Sequence, residues 1–137
     1  MGLILDTRPL VTAERRGPSV PRILAQVGEA WGETEIGLSV ITIVELTHGI
    51  QRAKLEAQRQ QREAFVADPM ATLTVYPITV EIARRAGAIS GQGAARAVNA
   101  PLEDLLIGAT ALQLGFEVVT ENVRHFQMIP DLVVKQL

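Results

Sequence analysis

The sequence predicts an α/β fold built around a mostly parallel sheet with helices on both faces. Short apolar runs that are typical of buried strands alternate along the chain with longer helix-forming segments. The first run, residues 3–5, is continuously apolar, as expected of a strand covered on both sides. Apolar residues make up 47% of the 137 residues, which is enough for one domain over residues 1–137 with a substantial core.

The composition excludes several classes of protein. The chain has no cysteine, so it forms no disulfide and holds no metal through thiolates, and we expect a reducing, cytoplasmic environment. No apolar run approaches the ~18 residues that a membrane span needs, and the first residues lack the pattern of a signal peptide. The formal net charge of −2 argues against nucleic-acid binding by bulk charge. It leaves open a nucleic-acid enzyme whose acidic residues gather in a metal site.

In the first half of the chain, capping residues and helix breakers separate the apolar segments. Thr7 is placed to cap a first helix, with Pro9 in its first turn, where a missing N–H does no harm. Gly17-Pro18 should stop that helix, and Ser19 should cap a second one. We expect strands over residues 3–5 and 36–41, and helices over residues 9–16, 20–31 and 42–51.

The second half begins with a segment rich in Ala, Gln, Glu and Arg, which are good helix formers, and Asp68-Pro69 should end it. Thr79 is placed to cap a long helix, Pro101 to open a strongly apolar one, and Gly115 to end that helix. We expect helices over residues 53–67, 80–97 and 102–114, and strands over residues 73–76, 116–120 and 132–134. Because strands and helices alternate throughout, the strands should be parallel.

Three carboxylates stand at junctions between predicted elements. Asp6 ends the first strand, Glu45 lies in the first turn of the helix after the second strand, and Asp104 lies in the first turn of the helix opened by Pro101. In parallel α/β sheets, strand carboxyl ends and the first turns of the following helices share one side. Carboxylates that meet there raise one another's pKa unless a cation lies between them. Oxygen ligands without cysteine favour Mg²⁺ or Mn²⁺ over zinc.

Each acid also has a simpler explanation. Thr42-x-x-Glu45 matches a capping box, in which the Glu45 side chain would bond the N–H of Thr42. Asp104, next to Glu103, would complement the dipole at a helix N-terminus. Asp6 has the weakest such explanation, because a cap at Thr7 would make a second cap unnecessary.

Four segments of the chain resemble, in order and spacing, the four signature blocks of PIN-domain toxins of the VapC type. The segments are LILDT at 3–7, LSVITIVEL at 38–46, DLLIGATA at 104–111 and VVTENVRHF at 118–126. The resemblance implies a three-layer α/β/α sandwich and a Mg²⁺- or Mn²⁺-dependent endoribonuclease, which hydrolyses RNA phosphodiesters with a metal-activated water. It also implies the toxin role in a type II toxin–antitoxin system, with a homodimer that a cognate VapB-type antitoxin binds and inhibits in a hetero-oligomer.

The resemblance also assigns roles to individual residues. Asp6, Glu45 and Asp104 match the acids that carry catalysis and bind the metal, with Glu45 acting directly or through water. Asn122 stands where the family often has a fourth acid and would add a neutral carbonyl ligand. With three carboxylates, we expect one tightly held ion and a second that arrives with the substrate phosphate. Beyond the family's own residues, we expect substrate contacts from Arg8, Thr120, Asn122 and Arg124. Thr120, at the end of the fourth strand, would alternatively orient a ligand or a metal-bound water. His48 and His125 are given structural or surface roles.

Arg8 departs from the family pattern, because relatives often carry Asn or Ser at this place. Its guanidinium would bind an RNA phosphate, pair with Asp6 in competition with the metal, or point into solvent.

If the changes at Arg8 and Asn122 degrade the site, the alternative is a catalytically impaired PIN-like domain that acts as a binding or regulatory module. A phosphoaspartyl enzyme is disfavoured, since such a phosphatase would need a second Asp where Arg8 stands.

Overall fold

A computed structural model describes residues 1–16, 20–93 and 99–137 of the chain. The strands are β1 (Gly2–Leu5), β2 (Glu35–Ser39), β3 (Thr74–Tyr76), β4 (Glu117–Thr120) and β5 (Val134–Gln136). The helices are α1 (Thr7–Arg16), α2 (Val20–Trp31), α3 (Val40–Gln51), α4 (Glu56–Thr72), α5 (Val80–Gly93), α6 (Leu102–Leu114) and α7 (Val123–Gln127).

All five strands pair in parallel in the order β3-β2-β1-β4-β5, so β1 lies at the centre of the sheet. Ile4 pairs with Gly37 of β2 on one side and with Val118 of β4 on the other. The predicted α/β fold with a parallel sheet is therefore confirmed. The carboxyl ends of β1, β2 and β4 lie along one edge, where the acids at the strand–helix junctions were expected to meet.

The sheet separates two hydrophobic clusters. Leu3 and Leu5 of β1 belong to the cluster that includes side chains of α1 to α4, whereas Ile4 belongs to the cluster formed mainly with α5, α6 and α7. This alternation follows from the pleat of a strand, which points successive side chains to opposite faces. Helices thus cover both faces, which confirms the three α/β/α layers.

The beginning of α3 corrects two predictions. The strand β2 ends at Ser39, two residues before the predicted end, and Ser39 caps α3 by accepting the N–H of Ile41 at 3.1 Å. Thr42 therefore lies inside the helix, and the capping-box explanation of Glu45 is wrong. Glu45 lies in the second turn of α3 and not in the first, because the helix begins two residues earlier than predicted. The cap at Thr7 is also wrong, because α1 begins at Thr7 itself and Asp6 directly precedes it.

Other boundaries differ by a few residues. The helix α4 continues through Pro69 to Thr72, so Asp68-Pro69 does not end it, and the N–H of Leu73 donates to the carbonyl of Pro69. The last strand lies two residues later than predicted, and α7 was not predicted. Thr79 caps α5 and Gly115 ends α6 with a φ of 69°, as expected.

The predicted stop at Gly17-Pro18, the cap at Ser19 and the helix end near Ala97 fall outside the described residues. No helix in the described ranges is long and apolar enough to cross a membrane.

We expect Ser39→Ala to destabilise the protein by about 0.5–2 kcal/mol, because the fully buried Ser39 hydroxyl satisfies the N–H of Ile41. Urea denaturation measures the change in the free energy of unfolding. The exposed Thr47 on the same helix provides the control, and Thr47→Ala should change stability by less than about 0.5 kcal/mol. Equal stability of the two variants would contradict the role of Ser39 as the cap.

Candidate functional site

A cavity of about 750 Å³ opens at the carboxyl edge of the sheet. Asp6, Glu45 and Asp104 all line it, although they come from the end of β1, from α3 and from α6. Arg8 and Asn122 line it as well. The structure therefore brings together five of the seven residues predicted to bind metal or substrate. The charge of Asp104 raises the pKa of Asp6, and the charges of Asp6 and Asp104 raise the pKa of Glu45.

Asp6 is held by three hydrogen bonds at the end of the central strand. Its N–H donates to the carbonyl of Val119 at 2.9 Å, its Oδ1 accepts the N–H of Thr7 at 2.8 Å, and its Oδ2 accepts the hydroxyl of Thr120 at 2.8 Å. Asp6 is only 5% exposed, and this burial raises its pKa, while the two side-chain bonds lower it in part. The negative charge of Asp104 raises the pKa further, and the positive charge of Arg8 lowers it.

The hydroxyl of Thr7 connects the buried Thr42 with the half-buried Glu45. It lies 2.7 Å from Oε1 of Glu45 and 2.9 Å from the hydroxyl oxygen of Thr42. A hydroxyl has one proton, and the carboxylate of Glu45 is the stronger acceptor, so Thr42 donates to Thr7 and Thr7 donates to Glu45. Burial raises the pKa of Glu45, and the charges of Asp6 and Asp104 raise it further, whereas the bond from Thr7 lowers it. Thr7 thus positions both Asp6 and Glu45.

The side chain of Asp104 is held in place by His125 of α7. Its Oδ2 lies 2.8 Å from Nδ1 of His125, and the same ring nitrogen lies 2.9 Å from Nδ2 of Asn122. In any one protonation state, Nδ1 either donates to Asp104 or accepts from Asn122. Burial raises the pKa of Asp104, and the contact with His125 lowers it in part. His125 therefore contacts a predicted catalytic acid and lines the cavity, which differs from the structural role expected for it.

Two of the expected substrate contacts do not line the cavity. Thr120 is fully buried, so it does not present its hydroxyl to substrate; it donates to Asp6, which agrees with the other expectation, that it orients a metal ligand. Arg124 is exposed on α7 and is not among the residues that line the cavity. Arg8 is exposed at the cavity wall and forms no ion pair with Asp6, although both are described.

Sequence reasoning missed two further groups of side chains. Glu121 lines the cavity, and its Oε2 accepts the hydroxyl of Thr12 at 3.1 Å. The hydroxyls of Thr7 and Thr42 were missed because their partners are distant in sequence. For His125 a signal was present: it lies three residues after Asn122 at the start of a helix, a spacing that places both side chains on one face.

The donor chemistry of the cavity suits a hard divalent cation. Three carboxylates with raised pKa values offer oxygen ligands, and a bound cation would relieve their mutual repulsion. Among the described residues, however, no group of three or more His, Cys, Asp or Glu side chains is arranged so that it could hold an ion. Mg²⁺ usually binds one or two carboxylates and takes its other ligands from water and substrate phosphates. The site fits this open mode of binding and not a cage made of protein ligands alone.

The family model of the PIN domain matches residues 3–131. The chain belongs to the PIN-domain family. Among its relatives, ribonuclease VapC of Rickettsia bellii is 30% identical over 135 residues, which cover 98% of this chain and 95% of that protein. Ribonuclease VapC19 of Mycobacterium tuberculosis is 33% identical over 129 residues, which cover 94% of this chain and 95% of that protein. The resemblance inferred from the four sequence segments is thereby confirmed.

Solved structures show the same PIN fold. VapBC2 of Rickettsia felis, crystallised with a DNA fragment from its promoter, has a TM-score of 0.85 at 20% identity, with 100% of this chain and 99% of that chain covered. DNA-bound VapBC of Salmonella typhimurium has a TM-score of 0.83 at 23% identity, with 99% of this chain and 98% of that chain covered.

We expect Glu45→Gln to stabilise the metal-free protein at neutral pH. A carboxyl whose pKa is higher in the folded than in the unfolded state destabilises the fold at a pH above the folded-state pKa. This cost falls as the pH is lowered through the folded-state pKa, and it is absent below the unfolded-state pKa. Gln keeps the acceptor for Thr7 and removes the charge. In the presence of a chelator, the Tm of the variant should exceed that of the parent by about 2–4 °C at pH 7.5, as for a gain of roughly 1 kcal/mol.

The difference in Tm should shrink as the pH is lowered toward the raised pKa of Glu45. Glu29 is exposed on α2 and provides the control, because Glu29→Gln removes the same charge away from the cavity. A parent that is more stable than Glu45→Gln at pH 7.5 would contradict this account of the site.

Proposed function

We propose that this PIN domain is a metal-dependent endoribonuclease and the toxin of a type II toxin–antitoxin pair. The observation that carries the proposal is the meeting of Asp6, Glu45 and Asp104 in one cavity, where the charge of Asp104 raises the pKa of Asp6 and the charges of both raise the pKa of Glu45. Relatives that match nearly the whole chain are named ribonuclease VapC. The same acids are the residues that the sequence resemblance assigns to catalysis.

Asp6 and Asp104 would hold a Mg²⁺ or Mn²⁺ ion, with Glu45 binding it directly or through water. The Nδ2 of Asn122 faces His125, so its carbonyl oxygen is left as a further neutral ligand. When bound, the ion supplies a water of lowered pKa and positive charge beside the scissile phosphate. Burial raises the pKa of Glu45, which makes its carboxylate a stronger base toward an attacking water.

The chain's other polar residues keep these carboxylates in position. Thr7 holds Asp6 and Glu45, Thr120 holds Asp6, and His125 holds Asp104. Hydrogen bonds of this kind orient ligands before the substrate arrives. They support an active site in preference to the alternative of a degraded site that serves only as a binding or regulatory module.

The proposed partners are RNA as substrate and a cognate VapB-type antitoxin, with a homodimer of the toxin inside the hetero-oligomer. Solved structures that share the fold include VapBC complexes of Rickettsia felis and of nontypeable Haemophilus influenzae. Their TM-scores of 0.85 and 0.81 support the expectation that this chain offers a similar surface to an antitoxin.

Purified protein incubated with mixed cellular RNA and Mn²⁺ should cut the RNA, and Asp6→Asn should slow the cleavage by more than about a hundredfold. The estimate follows because even a residue that only orients a metal ligand usually accounts for 10–100-fold. Sequencing of the new 5′ ends measures cleavage, and Glu29→Gln should behave like the parent. A parent that binds metal but leaves RNA intact in the absence of antitoxin would favour the binding module.

Isothermal titration of the metal-free protein with Mn²⁺ should show one tight site. The cavity has three predicted carboxylate ligands, and a second ion would depend on the phosphate of the substrate. Asp104→Asn should weaken the site at least tenfold, because it removes one of the charged ligands. Two tight and independent sites in the absence of RNA would contradict this proposal.

A further inference from the structure

Three arginines form one wall of the active-site cavity. Arg8, Arg15 and Arg16 all line it, together with Thr12, and all four lie on α1. Their spacing of i, i+4, i+7 and i+8 places them along one side of a helix. At 1.5 Å per residue, the wall from Arg8 to Arg16 extends over about 12 Å, which is more than one nucleotide of an extended single strand.

These guanidinium groups are available to a ligand. Arg8, Arg15 and Arg16 are exposed and form no hydrogen bond or salt bridge with the described part of the chain. Arg62 of α4 differs, because its Nη1 donates to the carbonyl of Gly49 at 2.6 Å and its Nε lies 3.8 Å from Glu14. The arginines of the α1 wall are thus not needed to connect helices.

The charges in the cavity are segregated. The three arginines all come from α1, whereas the carboxylates come from the sheet edge, from α3 and α6, and from the junction between β4 and α7. These carboxylates are Asp6, Glu45, Glu103, Asp104 and Glu121. Since the chain has a formal net charge of −2, its bulk charge does not attract a polyanion. A phosphate chain that enters this cavity therefore finds favourable charge mainly along α1.

We infer that the α1 wall, defined by Arg8, Arg15 and Arg16, binds the phosphate backbone of single-stranded RNA on one side of the bond that is cut. Arg8 is the innermost contact, two residues from Asp6, and Arg15 and Arg16 take phosphates farther from the acids. Guanidinium groups suit this task because they bind phosphate oxygens bidentately and remain charged. The concave site favours a single strand, which bends into it more readily than a duplex. The inference rests on the proposed function, since it concerns the substrate of the same site.

The salt dependence of RNA binding tests the α1 wall. Fluorescence anisotropy with a labelled single-stranded RNA in EDTA gives the Kd from 50 to 200 mM KCl, and a gel verifies that the RNA stays intact. Each phosphate contact on a single strand contributes about 0.7 to the slope of log Kd against log salt. The double variant Arg15→Gln/Arg16→Gln should lower that slope by about 1.4. The ratio of its Kd to the Kd of the parent should therefore be about sevenfold smaller at 200 mM KCl than at 50 mM KCl.

The matched control is Arg22→Gln/Arg84→Gln, which removes the same charge from exposed positions on α2 and α5 away from the cavity. Its slope should equal that of the parent. A slope of Arg15→Gln/Arg16→Gln that matches the control would overturn the inference. A parent that ignores RNA but binds polyglutamate through Arg15 and Arg16 would also overturn it, since the wall would then serve an acidic peptide.

Cleavage separates this inference from the proposed function. If the parent cuts RNA with Mn²⁺ but Arg15→Gln/Arg16→Gln changes neither the KM nor the salt slope, the function stands and the α1 wall is refuted. If the parent binds RNA with the predicted salt slopes but never cuts it, the wall is supported and the ribonuclease proposal fails.

Discussion

The buried carboxylate of Asp6 is the interaction on which the rest of the site depends. Its backbone N–H continues the pairing of β1 with β4, and its side chain accepts bonds from the first residue of α1 and the last residue of β4. One residue therefore connects the central strand, its neighbour and the following helix. Thr7, fixed by this junction, extends the connection to Glu45 on α3.

The same arrangement has an energetic cost. Burial and the charges of neighbouring carboxylates raise the pKa of Asp6, Glu45 and Asp104, so the metal-free fold keeps carboxylates in an environment that disfavours their charge. The hydroxyls of Thr7 and Thr120 and the ring of His125 offset part of this cost. A cluster of carboxylates that is destabilised in this way is suited to bind a cation. The residues of the site therefore lower the stability of the metal-free protein in favour of function.

The parts of the fold and site that follow local patterns were predictable. The strand end at Asp6 and the first helical turn at Asp104 placed these acids at one edge, and the apolar run 3–5 identified the central strand. Glu45 reaches the same edge from the second turn of α3, one turn later than predicted. The contacts that hold these acids were not predictable, because they join residues far apart in sequence, such as Thr7 to Glu45 and Thr120 to Asp6, which are 38 and 114 residues apart. Local signals also misled: Thr42-x-x-Glu45 matches a capping box, but Ser39 occupies the cap.

In the proposed function, a cation would bind to these coupled acids and relieve their repulsion. The most direct test is the number of protons released when Mn²⁺ binds, obtained by titration calorimetry over a series of pH values in two buffers of different ionisation enthalpy. Raised pKa values extend the protonated form of these acids to higher pH, and a protonated acid must lose its proton to bind metal. The account predicts proton release that falls as the pH rises and is reduced by Glu45→Gln. Tight Mn²⁺ binding with no proton release at any pH would contradict it.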